Sequence, residues 1–280
     1  MRALGATALA LVGFVAGGFV NLLVDRVPRK QSLLPLGGGC RACRPDPAPG
    51  RDVGGPDGAE PDAEPDVAEP RTGGPVGLAL WPLMGTKCGM CGRPASRRYV
   101  VVQLLTAAAF AGVGLRFGAD WAVPAYLVLF TSLLAVSVID LELHIIPNRI
   151  VYPTIFASVP LLALAAAAQG DAGRLGRALL GAGLAWAALL VIHLVSPAGM
   201  GFGDVRLSFV LGLFLGWLDL RSVLTGLFLG FLLGSVLGVL LVALRLRGRR
   251  DHIPFGPFLA GGAALTVFFG DALVGWLLGT

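Results

Sequence analysis

Long unbroken apolar runs, separated by short polar breaks, dominate this chain. A helix needs about 20 mostly apolar residues to cross a bilayer. Eight runs are predicted as spans: Ala3–Val24, Tyr99–Phe117, Trp121–Leu141, Ile150–Ala168, Leu175–Val195, Leu207–Leu218, Val223–Leu244 and Phe258–Leu278. The sixth is at the short end of what can span. The first begins near Met1, but its run is long. It is followed by Arg26-Val27-Pro28 and not by a small-residue cleavage site, so it reads as a retained helix.

Composition strengthens that picture. Of 280 residues, 55% are hydrophobic and 14% charged, where soluble domains carry about a quarter charged residues. The predicted class is an all-α polytopic membrane protein of about eight transmembrane helices. Eight spans divide the loops into two alternating sets. One set holds 17 of the 22 Lys and Arg residues, and the other holds 5. The basic set is expected to face the cytoplasm. The net charge of +5 is then a matter of topology and of contact with anionic lipid. No nucleic-acid motif is present, and nucleic acid is not an expected partner.

The segment from Arg26 to Arg98 is the one sizeable soluble stretch. The predicted organisation is a first helix (1–25), this loop (26–98), and a membrane-embedded domain (99–280). Residues 45–75 are rich in Pro, Gly, Asp, Glu and Ala, with no apolar residue larger than valine, and are expected to be disordered. On either side lie Cys40-x-x-Cys43 and Cys88-x-x-Cys91, which hold all four cysteines. Four thiolates in two such knuckles suit a structural tetrahedral zinc. Two disulfides or a redox relay are the alternatives. A cytoplasmic loop disfavours disulfides, and neither pair clearly opens a helix as redox pairs do.

A charge inside an apolar segment is costly, so each intramembrane acid is a candidate for function. Asp120, Asp171, Asp219 and Asp271 read as solvated loop residues, and His144, His193 and His252 lack ligand spacing. Two aspartates differ. Asp140 ends the third span in VSVIDLELHIIPNR, and Asp204 opens the sixth in GMGFGDVRL. The topology puts both at the cytoplasmic edge. Two carboxylates at one depth on different helices can form an acid/base pair around a water, one protonated and one ionised. Such a pair hydrolyses amides without a cofactor. Asp140 sits at a helix C-terminus and Asp204 at an N-terminus. The dipoles therefore predict the shared proton on Asp140 and the charge on Asp204. The plainer alternatives are Asp204 as an N-cap, Asp140 paired with Arg149 or Arg206, and Glu142 in place of Asp140.

Gly199, Gly201 and Gly203 precede the second acid. A spacing of two is not a helix face. The expectation is a bare extended backbone beside which a substrate strand can lie. Gly226, Gly230, Gly234 and Gly238 recur every fourth residue and predict close helix packing instead.

Together these residues resemble a known family. GMGFGD fits the Gly-x-Gly-Asp signature of the type IV prepilin peptidases, which are intramembrane aspartic proteases. IDLELHIIPN, with Pro147, is similar to the segment carrying the family's first catalytic aspartate. GGFVNLLVDRVP resembles its N-terminal motif, the paired cysteines its cytoplasmic domain, and IPFGPFLAGGA the start of its last helix. The resemblance implies catalytic roles for Asp140 and Asp204. It implies cleavage of the basic leader of prepilins or of pilin-like secretion subunits, on the cytoplasmic side of the inner membrane and usually after a glycine. Bifunctional members then methylate the new N-terminus with S-adenosylmethionine. The cysteine domain and Gly17–Pro28 are associated with that second step. Arg206 stands where the family usually has lysine, and the proline-rich insert separates the cysteine pairs unusually widely. No glycine-rich loop locates an S-adenosylmethionine site. A transporter using the two aspartates, or a membrane thiol oxidoreductase, are the alternatives from other classes.

Overall fold

The computed structural model describes residues 2–28, 97–197, 200–244 and 254–278. Within them the chain forms eight α-helices. These are α1 (Arg2–Arg26), α2 (Arg97–Phe117), α3 (Val123–Leu143), α4 (Asn148–Gln169), α5 (Ala172–Val195), α6 (Phe202–Leu218), α7 (Leu220–Ala243) and α8 (Gly256–Leu278). Six of the described helices are long and apolar enough to cross a membrane. In hydrocarbon every backbone N–H and C=O must be satisfied within the segment, and an uninterrupted helix does this. The all-α polytopic class is therefore the observed one.

Local chemistry sets the breaks. Gly170 ends α4 with a φ of 66°, a left-handed conformation that glycine adopts without steric cost. Asp171 then caps α5 by accepting from the Arg174 backbone N–H at 3.2 Å. His144 ends α3 in the same left-handed region, φ 55°, and its N–H donates to the Asp140 carbonyl at 2.9 Å. A helix break thus falls four residues after the first candidate acid.

Small residues decide which helices pack closely. A methyl group on Gly17 of α1 would lie 2.6 Å from Gln103 Cα of α2. One on Gly181 of α5 would lie 2.6 Å from the Gly212 carbonyl of α6. One on Gly230 of α7 would lie 3.0 Å from Leu259 Cα of α8. Lipid is as apolar as leucine, so such close approach supplies the packing that holds membrane helices together. The expected glycine face of the seventh span is borne out at Gly226, which meets Leu215 of α6 and Thr266 of α8, and at Gly230 and Gly234, which meet Leu259 and Phe255. Replacing Gly212 by valine should force α5 and α6 apart and cost about 1–3 kcal/mol. Thermal unfolding in detergent measures this, and an unchanged midpoint would show that the pair can spread freely.

α6 is the central helix, with 12 of its 17 residues buried. The Tyr126 hydroxyl of α3 donates to the Phe214 carbonyl at 3.0 Å, which ties α3 to that centre. One expectation is corrected here and another holds. The sixth helix begins at Phe202, five residues before Leu207, so Gly203 is helical and not extended, while Asp204 lies in the first turn, as expected of a helix N-terminus. Ile146 closes against Gly203, which encloses this turn. The extended backbone stops at Gly201, with φ −69° and ψ 145°. Gly199 lies outside the described residues.

Candidate active site

Asp140 comes from the last turn of α3 and Asp204 from the first turn of α6. They are 4% and 7% exposed and near enough to interact electrostatically. The chain therefore brings together the two acids singled out in sequence, from segments 64 positions apart in the numbering. Burying two carboxylates in one apolar bundle has no packing benefit.

The plainer alternatives meet specific obstacles. The N-cap position of α6 is Gly201, and Asp204 stands inside the helix, three residues beyond it. Arg206 donates from Nη1 to Asn148 Oδ1 at 2.5 Å and lies over the Phe202 ring, 4.6 Å from its centroid. Glu142 accepts from Arg98 Nη1 at 2.6 Å, so its carboxylate is engaged by α2 and not by the Asp204 side.

A third segment completes the site. The backbone N–H of Gly256, the first residue of α8, donates to Asp140 Oδ2 at 3.0 Å. A methyl group there would fall 2.7 Å from the same oxygen and 3.3 Å from Ile146 Cδ1. Ile146 also limits Gly203, whose added Cβ would sit 2.8 Å from Ile146 Cβ. Glycine at 203 and 256 thus lets two helix starts close around the loop that carries Ile146. The role of Gly256 was not anticipated. Its signal was the IPFGPFLAGGA stretch, noted only as a resemblance. The dipole of its own helix is only part of the field at Asp140. Asp140 also faces the N-terminus of α8, a field of opposite sign to that of its own helix.

Asp204 Oδ1 is buried and has no hydrogen-bond partner, while its Oδ2 lies beside Gly201, 3.4 Å from where a Cβ would be. An unpartnered buried carboxylate oxygen is costly in a purely structural role, and it suits a position that receives a water or a peptide carbonyl. Pro147 precedes α4 with φ −75° and ψ 126°, fixing the turn between Asp140 and Asn148. His193 holds the glycine loop in place through a 2.8 Å contact of Nδ1 with the Met200 carbonyl, and its ring packs edge-on to Phe202. It is a structural histidine. Cys40, Cys43, Cys88 and Cys91 lie outside the described residues. Among the described residues no group of His, Cys, Asp and Glu could hold a metal.

Comparison with known proteins points to one family. The type IV leader peptidase family matches residues 127–243, which contain both aspartates. The prepilin leader peptidase/N-methyltransferase of Aeromonas hydrophila is 32% identical over 208 residues, covering 72% of this chain and 69% of the relative. That of Burkholderia pseudomallei is 32% identical over 279 residues, covering 94% and 85%. That of Pseudomonas aeruginosa is 30% identical over 282 residues, covering 94% and 90%. No solved structure matches. The length of these matches and the paired acids inside them place the chain, a multi-pass membrane peptidase, in the type IV leader peptidase family.

Proposed function

We propose that the chain removes the basic leader from type IV prepilins or pilin-like secretion subunits at the cytoplasmic face of the inner membrane, using Asp140 and Asp204. The observation that carries this reading is a pair of buried carboxylates, one from α3 and one from α6, near enough to interact electrostatically. In the proposed reaction one carboxylate takes a proton from water as the water oxygen bonds to the scissile carbonyl carbon. The other gives its proton to the carbonyl oxygen. Collapse of the tetrahedral adduct returns a proton to the departing amine and breaks the C–N bond, and only water is consumed. The two acids act as one titrating unit. Gly201, in extended conformation, offers backbone beside which the leader junction can lie. Arg206, bound to Asn148, links the start of α6 to the residue after Pro147.

Methylation of the new N-terminus with S-adenosylmethionine is the second proposed activity. The double name of the relatives supports it. The 26–98 segment is its proposed seat, with 99–280 as the peptidase domain. Four thiols in two Cys-x-x-Cys pairs fit zinc, so Cys40, Cys43, Cys88 and Cys91 would hold a structural ion there, supplying fold and no chemistry.

Mass spectrometry of a prepilin co-expressed with the enzyme tests both activities. The expected product lacks its leader and carries one added methyl group. A retained leader would overturn the peptidase reading, and a cleaved but unmethylated product would overturn the second activity alone.

A further inference from the structure

A catalytic group on the last turn of a helix poses a physical problem. The final carbonyls lack intrahelical partners, so such turns fray unless something holds them. Asp140 is in this position, because α3 ends at Leu143. Its side chain meets the Gly256 N–H on one face. Residues two apart on an α-helix point roughly 200° from each other, so Glu142 leaves α3 on nearly the opposite face.

There Glu142 meets Arg98 of α2 at 2.6 Å. The same guanidinium donates from Nη2 to Asp25 of α1 at 2.5 Å. The Tyr99 hydroxyl donates to the other Asp25 oxygen at 2.6 Å, and Asn21 Nδ2 donates to the Tyr99 carbonyl at 3.1 Å. The arginine fork thus spans carboxylates from two helices, a geometry that a lysine cannot reproduce. Arg98, Asp25 and Glu142 side chains are only 18%, 24% and 30% exposed. Partial burial at a packed junction makes such pairs stiffer than freely solvated ones.

We infer that Arg98 is a positioning residue for proteolysis: by joining Asp25 and Glu142 it holds the last turn of α3 so that Asp140 meets Asp204. This rests on the peptidase reading above. It extends the proteolytic machinery to α1 and α2, which lie outside the 127–243 match. Gly13 and Gly17 supply the rigidity. Their close approach to Phe110, Thr106 and Gln103 makes α1 and α2 one body, so the clasp pulls against a firm base.

The test is a kinetic double-mutant cycle on the full-length enzyme in detergent, with a prepilin as substrate. Arg98→Gln and Glu142→Gln should each lower kcat on the order of 10- to 100-fold, with KM held within about twofold. The double variant should fall no further than the worse single one, because one interaction is lost in all three. Arg98→Lys, which can hold one carboxylate, should fall between wild type and Arg98→Gln. Glu142→Gln is isosteric, so it reports even where the arginine variant folds poorly. Wild-type kcat in the Glu142→Gln variant, or losses that multiply in the double variant, would overturn the positioning role. If wild-type enzyme fails to cut the prepilin, the peptidase reading itself is overturned, so the two failures are distinct.

Discussion

Asparagine at position 140 or 204 is expected to lower the rate of prepilin cleavage on the order of 10²- to 10⁴-fold, the usual scale of positioned acid/base catalysis. The substitution keeps shape and volume and removes the carboxyl proton chemistry. At 140 the side-chain oxygen can still accept from the Gly256 N–H, 3.0 Å away in the parent, so the fold should persist. At 204 the side-chain oxygen of the amide can still accept a backbone N–H in this first turn, so the helix start should be kept. Either change alone should suffice, since a single carboxyl cannot take a proton from water and protonate the carbonyl together. The Asp140→Asn, Asp204→Asn double variant should therefore be little slower than either single one. Single-turnover cleavage of a purified prepilin measures all three. Near-normal turnover by either single variant would remove the dyad, and with it the mechanism proposed here.

The second large effect is expected at a residue with no side chain. Gly256→Ala places a methyl group 2.7 Å from Asp140 Oδ2 and 3.3 Å from its Cγ. One of the two must move. A displacement near 1 Å at a reacting group costs about 10²-fold in rate, and the crowding itself about 1–3 kcal/mol of stability. The rate should thus fall far more than the melting temperature suggests, with KM little changed. Measuring kcat, KM and thermal unfolding on the same preparation separates the two effects. Full activity in Gly256→Ala would mean that α8 merely neighbours the site.

These two sites differ in how visible they are in sequence. Asp140 and Asp204 stand out because a carboxylate in an apolar run has a cost that function must justify. Gly256 carries no such mark. Its importance comes from an N–H that meets a carboxylate 116 positions earlier, and periodicity and composition hold nothing about pairings of that range. Glu142 is similar. As a lone acid it looked like a substitute for Asp140, and only the fold shows its partner to be Arg98. The helices themselves were legible to within a few residues because length and hydropathy suffice for them. The start of α6 was less so. Asp204 reads as its opening residue, but the helix already begins at Phe202 and takes in Gly203, which reads as extended backbone.

The shortness of α6 has a consequence in the membrane. Seventeen residues rise about 25 Å, less than the ~30 Å of hydrocarbon in a typical bilayer. Ringed by protein, this helix needs no thinning of the lipid to accommodate it. Its neighbours in the bundle run from 21 to 24 residues, so the length that the hydrocarbon demands is met by the helices around it.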